Sequence, residues 1–274
     1  MSLADAPLGH DVAYPDSYDA ALLFPLDRAP NRVPLGIGAD LPFHGQDIWT
    51  AYELSWLNPR GKPQVAMGRF IVPADTPRII ESKSFKLYLN SLNETRLPGA
   101  AAYIERVQGD VSAAAGAPVR LELLPPESFG QARIGTLPGD TLDDQDVAID
   151  TYTPAPSLLG CEPDADIVEE TLTSDLLKSN CPVTGQPDWG SLQIRYRGKK
   201  IDRAGLLRYI VSFRQHSEFH EHCVERVFTD IMAACEPSAL SVYARYTRRG
   251  GLDINPWRAT PGLKAPPDVR TARQ

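Results

Sequence analysis

Ile48-Trp49-Thr50-Ala51-Tyr52-Glu53-Leu54-Ser55-Trp56-Leu57 runs into Asn58-Pro59-Arg60-Gly61-Lys62 and returns through residues 64–72, and this stretch decides the fold. Ile48, Tyr52, Leu54 and Trp56 share one parity, which is the spacing of a strand with one face buried. Asparagine, proline and glycine in the break supply turn geometry, so the segment predicts an antiparallel hairpin. Working outward, residues 82–95 and 102–114 carry helical patterns and residues 119–124 a strand pattern. The second half repeats the order. Leu192, Ile194 and Tyr196 oppose Gln193, Arg195 and Arg197, and Arg197-Gly198-Lys199 predicts a turn echoing Arg60-Gly61-Lys62. Helices are expected over residues 202–213 and 217–235, where Phe219, Cys223, Val227 and Ile231 form an apolar stripe, and a strand over 240–247. Hairpin, helices and strand occurring twice imply an antiparallel α+β fold made by tandem duplication rather than alternating βαβ units. The expected modules are residues 1–125 and 166–274, joined by an acidic, proline-rich connection over 126–165.

The chain has 274 residues, 42% of them hydrophobic and 23% charged, with a mean hydropathy of -0.27, the profile of a folded globular protein. No apolar run is long enough to span a bilayer as a helix. Residues 1–14 mix acids, prolines and a glycine where a secretory signal needs a basic start and an apolar segment, so a cytoplasmic protein is expected. The formal charge of -7 argues against a general nucleic-acid binder. Eleven acids and no Lys or Arg lie between Ile134 and Leu177, so the remainder is net positive and leaves room for an anion site. Cys161, Cys181, Cys223 and Cys235 form no Cys-x-x-Cys pair and are expected as thiols. Gly36-Ile37-Gly38 is too short for a dinucleotide fingerprint, so any nucleotide binds outside a Rossmann fold.

Three places carry residue types suited to chemistry. Cys181 follows Lys178 and precedes Asp188 in a segment punctuated by Pro182, Gly185 and Pro187. It reads either as a thiolate nucleophile with an acid nearby or as an inert buried thiol. Cys223 and Cys235, on an apolar helix face, belong to the inert class. His216, His220 and His222 cluster with Glu218 and Glu221. They are candidates for a zinc site with Cys181, for an acid and imidazole gripping a polar heterocycle, or for a solvated helix start. The third place is Glu81-Ser82-Lys83-Ser84-Phe85-Lys86. Ser82 either caps a helix there, or Glu81 accepts N–H donors from a ligand while Lys83 holds phosphate. Arg248-Arg249-Gly250-Gly251 reads as a second phosphate loop or as a solvated turn.

Together these motifs resemble the NADPH-dependent 7-cyano-7-deazaguanine reductases, the nitrile reductases of queuosine biosynthesis, in their long two-module form. The resemblance is carried by residues 41–49, 81–90, 177–181, 186–190, 218–221 and 243–251, and it spans nearly the whole chain. It implies tandem tunnelling-fold modules, antiparallel sheets with helices packed on one face, and a homodimer without bound metal. It assigns Cys181 as nucleophile and Asp188 as proton donor. Ile80, Glu81, Ser82, His220 and Glu221 are then expected to bind 7-cyano-7-deazaguanine, and Ser82, Lys83, Arg249 and Gly250 to contact NADPH. The competing readings are a zinc-dependent purine or pterin hydrolase of the same superfold and a non-catalytic purine-binding module.

Overall fold

A computed structural model describes residues 15–274, so the reading of residues 1–14 lies outside the described residues. In chain order the elements are β1 (Pro25–Asp27), α1 (Ala29–Arg32), β2 (His44–Leu57), β3 (Pro63–Pro73), β4 (Arg78–Ile80), α2 (Ser82–Ser91), α3 (Ala100–Ala115) and β5 (Arg120–Leu124). The short β6 (Ile134–Gly135) and β7 (Asp140–Thr141) follow. Then come β8 (Ile167–Asn180), β9 (Pro187–Lys199), α4 (Arg203–Val211), α5 (His220–Cys235), β10 (Ala239–Tyr246), β11 (Leu252–Ala259) and β12 (Arg270–Thr271). The chain divides into two compact units. The first comprises the described residues up to Asn31, Gln46–Arg133 and Arg248–Asp253; the second comprises Arg32–Gly45, Ile134–Thr247 and Ile254–Gln274. The antiparallel α+β class expected from the sequence is the one observed.

In the first unit the sheet order is β5-β3-β2, all antiparallel. The β2–β3 hairpin is closed by residues 58–62, where Asn58 Oδ1 accepts from the Arg60 and Lys62 amides and Gly61 takes φ +85. The predicted strand is only half right in its burial: Asp47, Ile48, Trp49, Ala51 and Tyr52 are all buried, so both faces are covered there. The register then slips between Ala51 and Leu54, a bulge that restores Leu54 and Trp56 to the buried face. Phe85 of α2 meets Trp49 and Phe70 edge-on at 5.2 and 5.0 Å, which fixes α2 against this hairpin.

In the second unit the order is β11-β10-β9-β8-β7. The predicted turn at Arg197-Gly198-Lys199 is a correction. These residues stay in β9, paired with Glu169, Val168 and Ile167 of β8. The hairpin turns instead at residues 181–186, and the fold places Cys181 first in that turn. Gly198 is explained by crowding: an added Cβ would lie 2.9 Å from Pro237 Cα. The acidic connection is fastened to this unit, because β7 pairs in parallel with β8 and Asp143 accepts from Ser174 Oγ and the Asp175 amide at the β8 bulge.

The two units share details beyond the order of their elements. Strands β2 and β8 both have 14 residues, and their registers break between the eighth and eleventh, Ala51/Leu54 and Ser174/Leu177. The seventh residue of α2 is Tyr88, which donates to Asp110, the eleventh of α3, at 2.6 Å; the seventh of α4 is Tyr209, which donates to Asp230, the eleventh of α5, at 2.6 Å. Ser91 and Ser212 donate to the carbonyls of Tyr88 and Tyr209, each at 2.6 Å. A carboxylate caps both first helices, Glu81 on α2 and Asp202 on α4.

Candidate active site

Cys181 is 4% exposed and is the first residue beyond β8. Its amide donates to the Gln186 carbonyl at 2.8 Å and its carbonyl accepts from Gly185 at 3.0 Å, so the turn is closed on itself. Gly185 sits at φ +67, which a side chain rarely adopts. The preceding residue stitches this turn to the approach to α5: the Asn180 amide donates to His216 O and the Asn180 carbonyl accepts from Glu218. Lys178 precedes the thiol by three residues in the sequence. The Lys178 ammonium donates to Asn180 Oδ1 and Arg214 O, both at 2.6 Å, so it tethers the same approach segment.

Two residues into β9, Asp188 is 4% exposed, with Oδ2 3.3 Å from Nε2 of His220. His220 opens α5, and Glu221, 2% exposed, follows in its first turn, where the helix amides favour a negative charge. The His220 ring lies parallel to Tyr246, 5° between planes and 3.7 Å between centroids. Tyr246 is fully buried with its hydroxyl facing Cys223 and Ser179; burial and then the Cys223 sulfur push its phenol well above the ordinary value, so it stays protonated. Burial pushes the Cys223 thiol up to about 12, which agrees with its inert reading.

The three histidines do not converge. His216 Nε2 lies 2.8 Å from Glu218 Oε2, His222 is fully buried, and His220 faces Asp188. The solvated helix start is therefore a correction: burial raises the Glu218 carboxyl, and hydrogen bonds from His216 and Arg226 overcome that and leave it below its usual range. Tyr246 and Ser179 were not singled out individually in the sequence, and Glu218 was named there only as a member of the histidine cluster. Their signal is position alone, since Ser179 is two residues before the cysteine and Tyr246 lies in the 243–251 segment. Tyr246→Phe keeps the stacked ring and is expected to hold kcat within about fivefold, whereas Tyr246→Leu frees the imidazole and lowers kcat about a hundredfold, as small misplacements do. Steady-state rates and KM for both variants check this.

The remaining expected residues lie in the first unit. Ile80 ends β4, and Glu81 is fully buried as the N-cap of α2, accepting from the Lys83 amide at 2.6 Å and the Ser84 amide at 2.8 Å. Ser82, read as a possible cap, is instead the first helical residue, its hydroxyl 3.4 Å from Glu81 Oε1. Capping leaves Glu81 Oε2 a further lone pair, while Oε1 receives both the Lys83 amide and the Ser82 hydroxyl. The turn over residues 248–251 has Gly250 at φ +59 and Gly251 at φ +76, and a Cβ on Gly250 would lie 3.4 Å from Lys86 Cδ. The structure thus gathers Lys83, Lys86 and Gly250 around one helix, with Arg248 4.9 Å over the Tyr52 ring.

A reductase from Bordetella bronchiseptica described as NADPH-dependent 7-cyano-7-deazaguanine reductase is 65% identical over 274 residues, covering 100% of both chains. The chain belongs to the 7-cyano-7-deazaguanine reductase family. The family model for the N-terminal part, a nitrile reductase, matches residues 14–123 of this reductase, and a QueF-like protein model matches residues 187–264. A relative of the same description from Chromobacterium violaceum is 57% identical over 270 residues, 98% of this reductase and 96% of the relative. The solved archaeosine synthase QueF-Like in its apo form is 16% identical and covers 36% of this reductase and 96% of its own chain, with a TM-score of 0.32. Among the described residues no helix of this reductase is long and apolar enough to cross a membrane.

Proposed function

We propose that this reductase converts the nitrile of 7-cyano-7-deazaguanine to the primary amine of 7-aminomethyl-7-deazaguanine with Cys181 as nucleophile and Asp188 as proton donor. It is an NADPH-dependent oxidoreductase acting in queuosine biosynthesis. The observation that carries the residue assignment is the buried arrangement of Cys181 at the hairpin turn with Asp188 two residues into the returning strand and His220 3.3 Å from that carboxylate. The sulfur adds to the nitrile carbon, and Asp188 places a proton on the nitrogen, giving a thioimide. NADPH, when bound, would supply one hydride to the thioimide carbon and a second to the imine, four electrons in all. Between the two, Cys181 departs from the tetrahedral carbon as thiolate and leaves that imine, and His220, fixed by Tyr246, holds Asp188 in place for the next proton.

Recognition of the guanine-like edge, which presents an N–H and an amino group, falls to Glu81 and Glu221, with Ile80, Ser82 and His220 completing the contacts. Glu221→Gln turns one acceptor into a donor facing a donor, and about a tenfold or greater loss of substrate affinity is expected by calorimetry. For NADPH, the Gly250 surface that a Cβ would fill against Lys86 suits phosphate groups. Ser82, Lys83, Arg249 and Gly250 would hold them there. We place the enzyme in the cytoplasm as a homodimer acting on a small molecule without contacting nucleic acid, in keeping with its charge of -7. Intact-mass spectrometry tests the chemistry. Substrate without NADPH adds its own mass to the protein, and the adduct clears when NADPH is added. Turnover with no adduct on Cys181 under any condition overturns the assignment.

A further inference from the structure

Two cysteines that the reaction does not use meet at one edge of the second unit. Cys161, partly exposed at the end of the acidic connection, pairs through an isolated bridge with Ile201. Its Sγ lies 3.7 Å from Lys199 O and 3.8 Å from Cys235 O. Cys235 is the last residue of α5, 6% exposed. The two residues border the same opening of about 360 Å³, with Ile167, Gly198, Lys199 and Glu236. We propose that Cys161 and Cys235 are a redox modification site, closing to a disulfide when a peroxide reaches this opening and tying the acidic connection to the end of α5.

Burial, then the neighbouring Cys161 sulfur, push the Cys235 thiol up to about 12. The order of steps follows from exposure and protonation. The more exposed Cys161 sulfur attacks a peroxide oxygen; the O–O bond breaks, leaving Cys161 as a sulfenic acid and releasing one water. The Cys235 sulfur attacks the sulfenic sulfur as its proton passes to the departing hydroxyl, a transfer that a thiol raised to about 12 requires and that Cys223, with no sulfenic acid beside it, has no occasion for. The S–S bond forms, and the hydroxyl leaves as a second water with the Cys235 proton. Two thiols are oxidised by two electrons, and hydrogen peroxide is reduced to two waters. A covalent link closing the chain between residues 161 and 235 restricts the unfolded ensemble, so the oxidised form is the more heat-resistant.

The test uses the full-length protein treated with stoichiometric hydrogen peroxide, alkylated, digested without reductant and mapped by mass spectrometry. The expected result is a Cys161–Cys235 linked peptide two hydrogens lighter than the sum of its parts. With it comes a thermal midpoint raised by about 5 °C and reversed by dithiothreitol. Cys161→Ser, at a partly exposed position outside the proposed catalytic set, is expected to lose both the linked peptide and the reversible rise. A linked peptide that contains Cys181 or Cys223 in place of this pair, or peroxide consumption that leaves Cys161 and Cys235 both alkylated, overturns the proposal. Adduct formation between Cys181 and substrate is read separately by intact mass, so failure of the catalytic assignment and failure of this one are distinct results.

Discussion

Cys181→Ser eliminates the substrate adduct and lowers turnover by about a thousandfold to a millionfold, the range seen when a nucleophile that works as part of a unit is removed. A hydroxyl at this position stays un-ionised near neutral pH and needs a strong base beside it to attack. The neighbouring groups are otherwise engaged: the Lys178 ammonium is bound to Asn180 and Arg214 O, and the nearest histidine to Asp188 is stacked on Tyr246. The substitution replaces sulfur by a smaller atom in a turn held by backbone bonds from Cys181 to Gln186 and Gly185, so the fold and the heterocycle contacts survive. Substrate binding by calorimetry is therefore expected to persist while the mass shift and NADPH oxidation disappear. A variant that reduces the nitrile at the parental rate removes covalent catalysis from the account.

The duplicated order of hairpin, helices and strand was legible because alternation and helical periodicity survive divergence. The hairpin turn of the second unit was not, because Arg197-Gly198-Lys199 copies the composition of Arg60-Gly61-Lys62 while its glycine serves a close approach to Pro237. Composition alone does not distinguish the two uses of glycine. Aligning the repeats through their strands shows what the eye missed. Asn58 and Gln64 stand in the first unit where Cys181 and Asp188 stand in the second, and Ala100 and Ala101 open α3 where His220 and Glu221 open α5. One copy of the hairpin–helix frame thus carries the residues proposed as nucleophile and proton donor, and the other carries polar or methyl side chains without that chemistry. Strand β11, buried along its whole length, was overlooked because Asp253, Asn255 and Arg258 break its apolar pattern. Those polar groups are satisfied by partners remote in sequence, such as Glu225 for Arg258 and Gln274 for Asn255, which no local pattern announces.

Glu225 carries the second large effect. It is fully buried one turn beyond Glu221 on α5, and it accepts from Arg32 Nη2 at 2.7 Å, Arg32 Nε at 2.9 Å, and Arg258 Nη2 at 2.8 Å. The two guanidinium groups lie 5.7 and 5.4 Å from the Phe43 ring. Glu225→Gln keeps the shape but leaves two buried guanidinium charges facing an amide, a loss of about 3–5 kcal/mol in unfolding free energy. Burial raises the Glu225 carboxyl, yet the Arg258 charge and the Arg32 hydrogen bond bring it down from 4.5 to about 2. A carboxyl held lower in the folded state than in the unfolded one stabilises fully above pH 4.5 and loses that contribution as pH falls towards 2. The separation between parent and variant in urea midpoint is thus expected to be constant from pH 8 to pH 5 and to narrow below pH 4.5. An equal separation at pH 7 and pH 3 means that Glu225 contributes through packing and that its charge is idle.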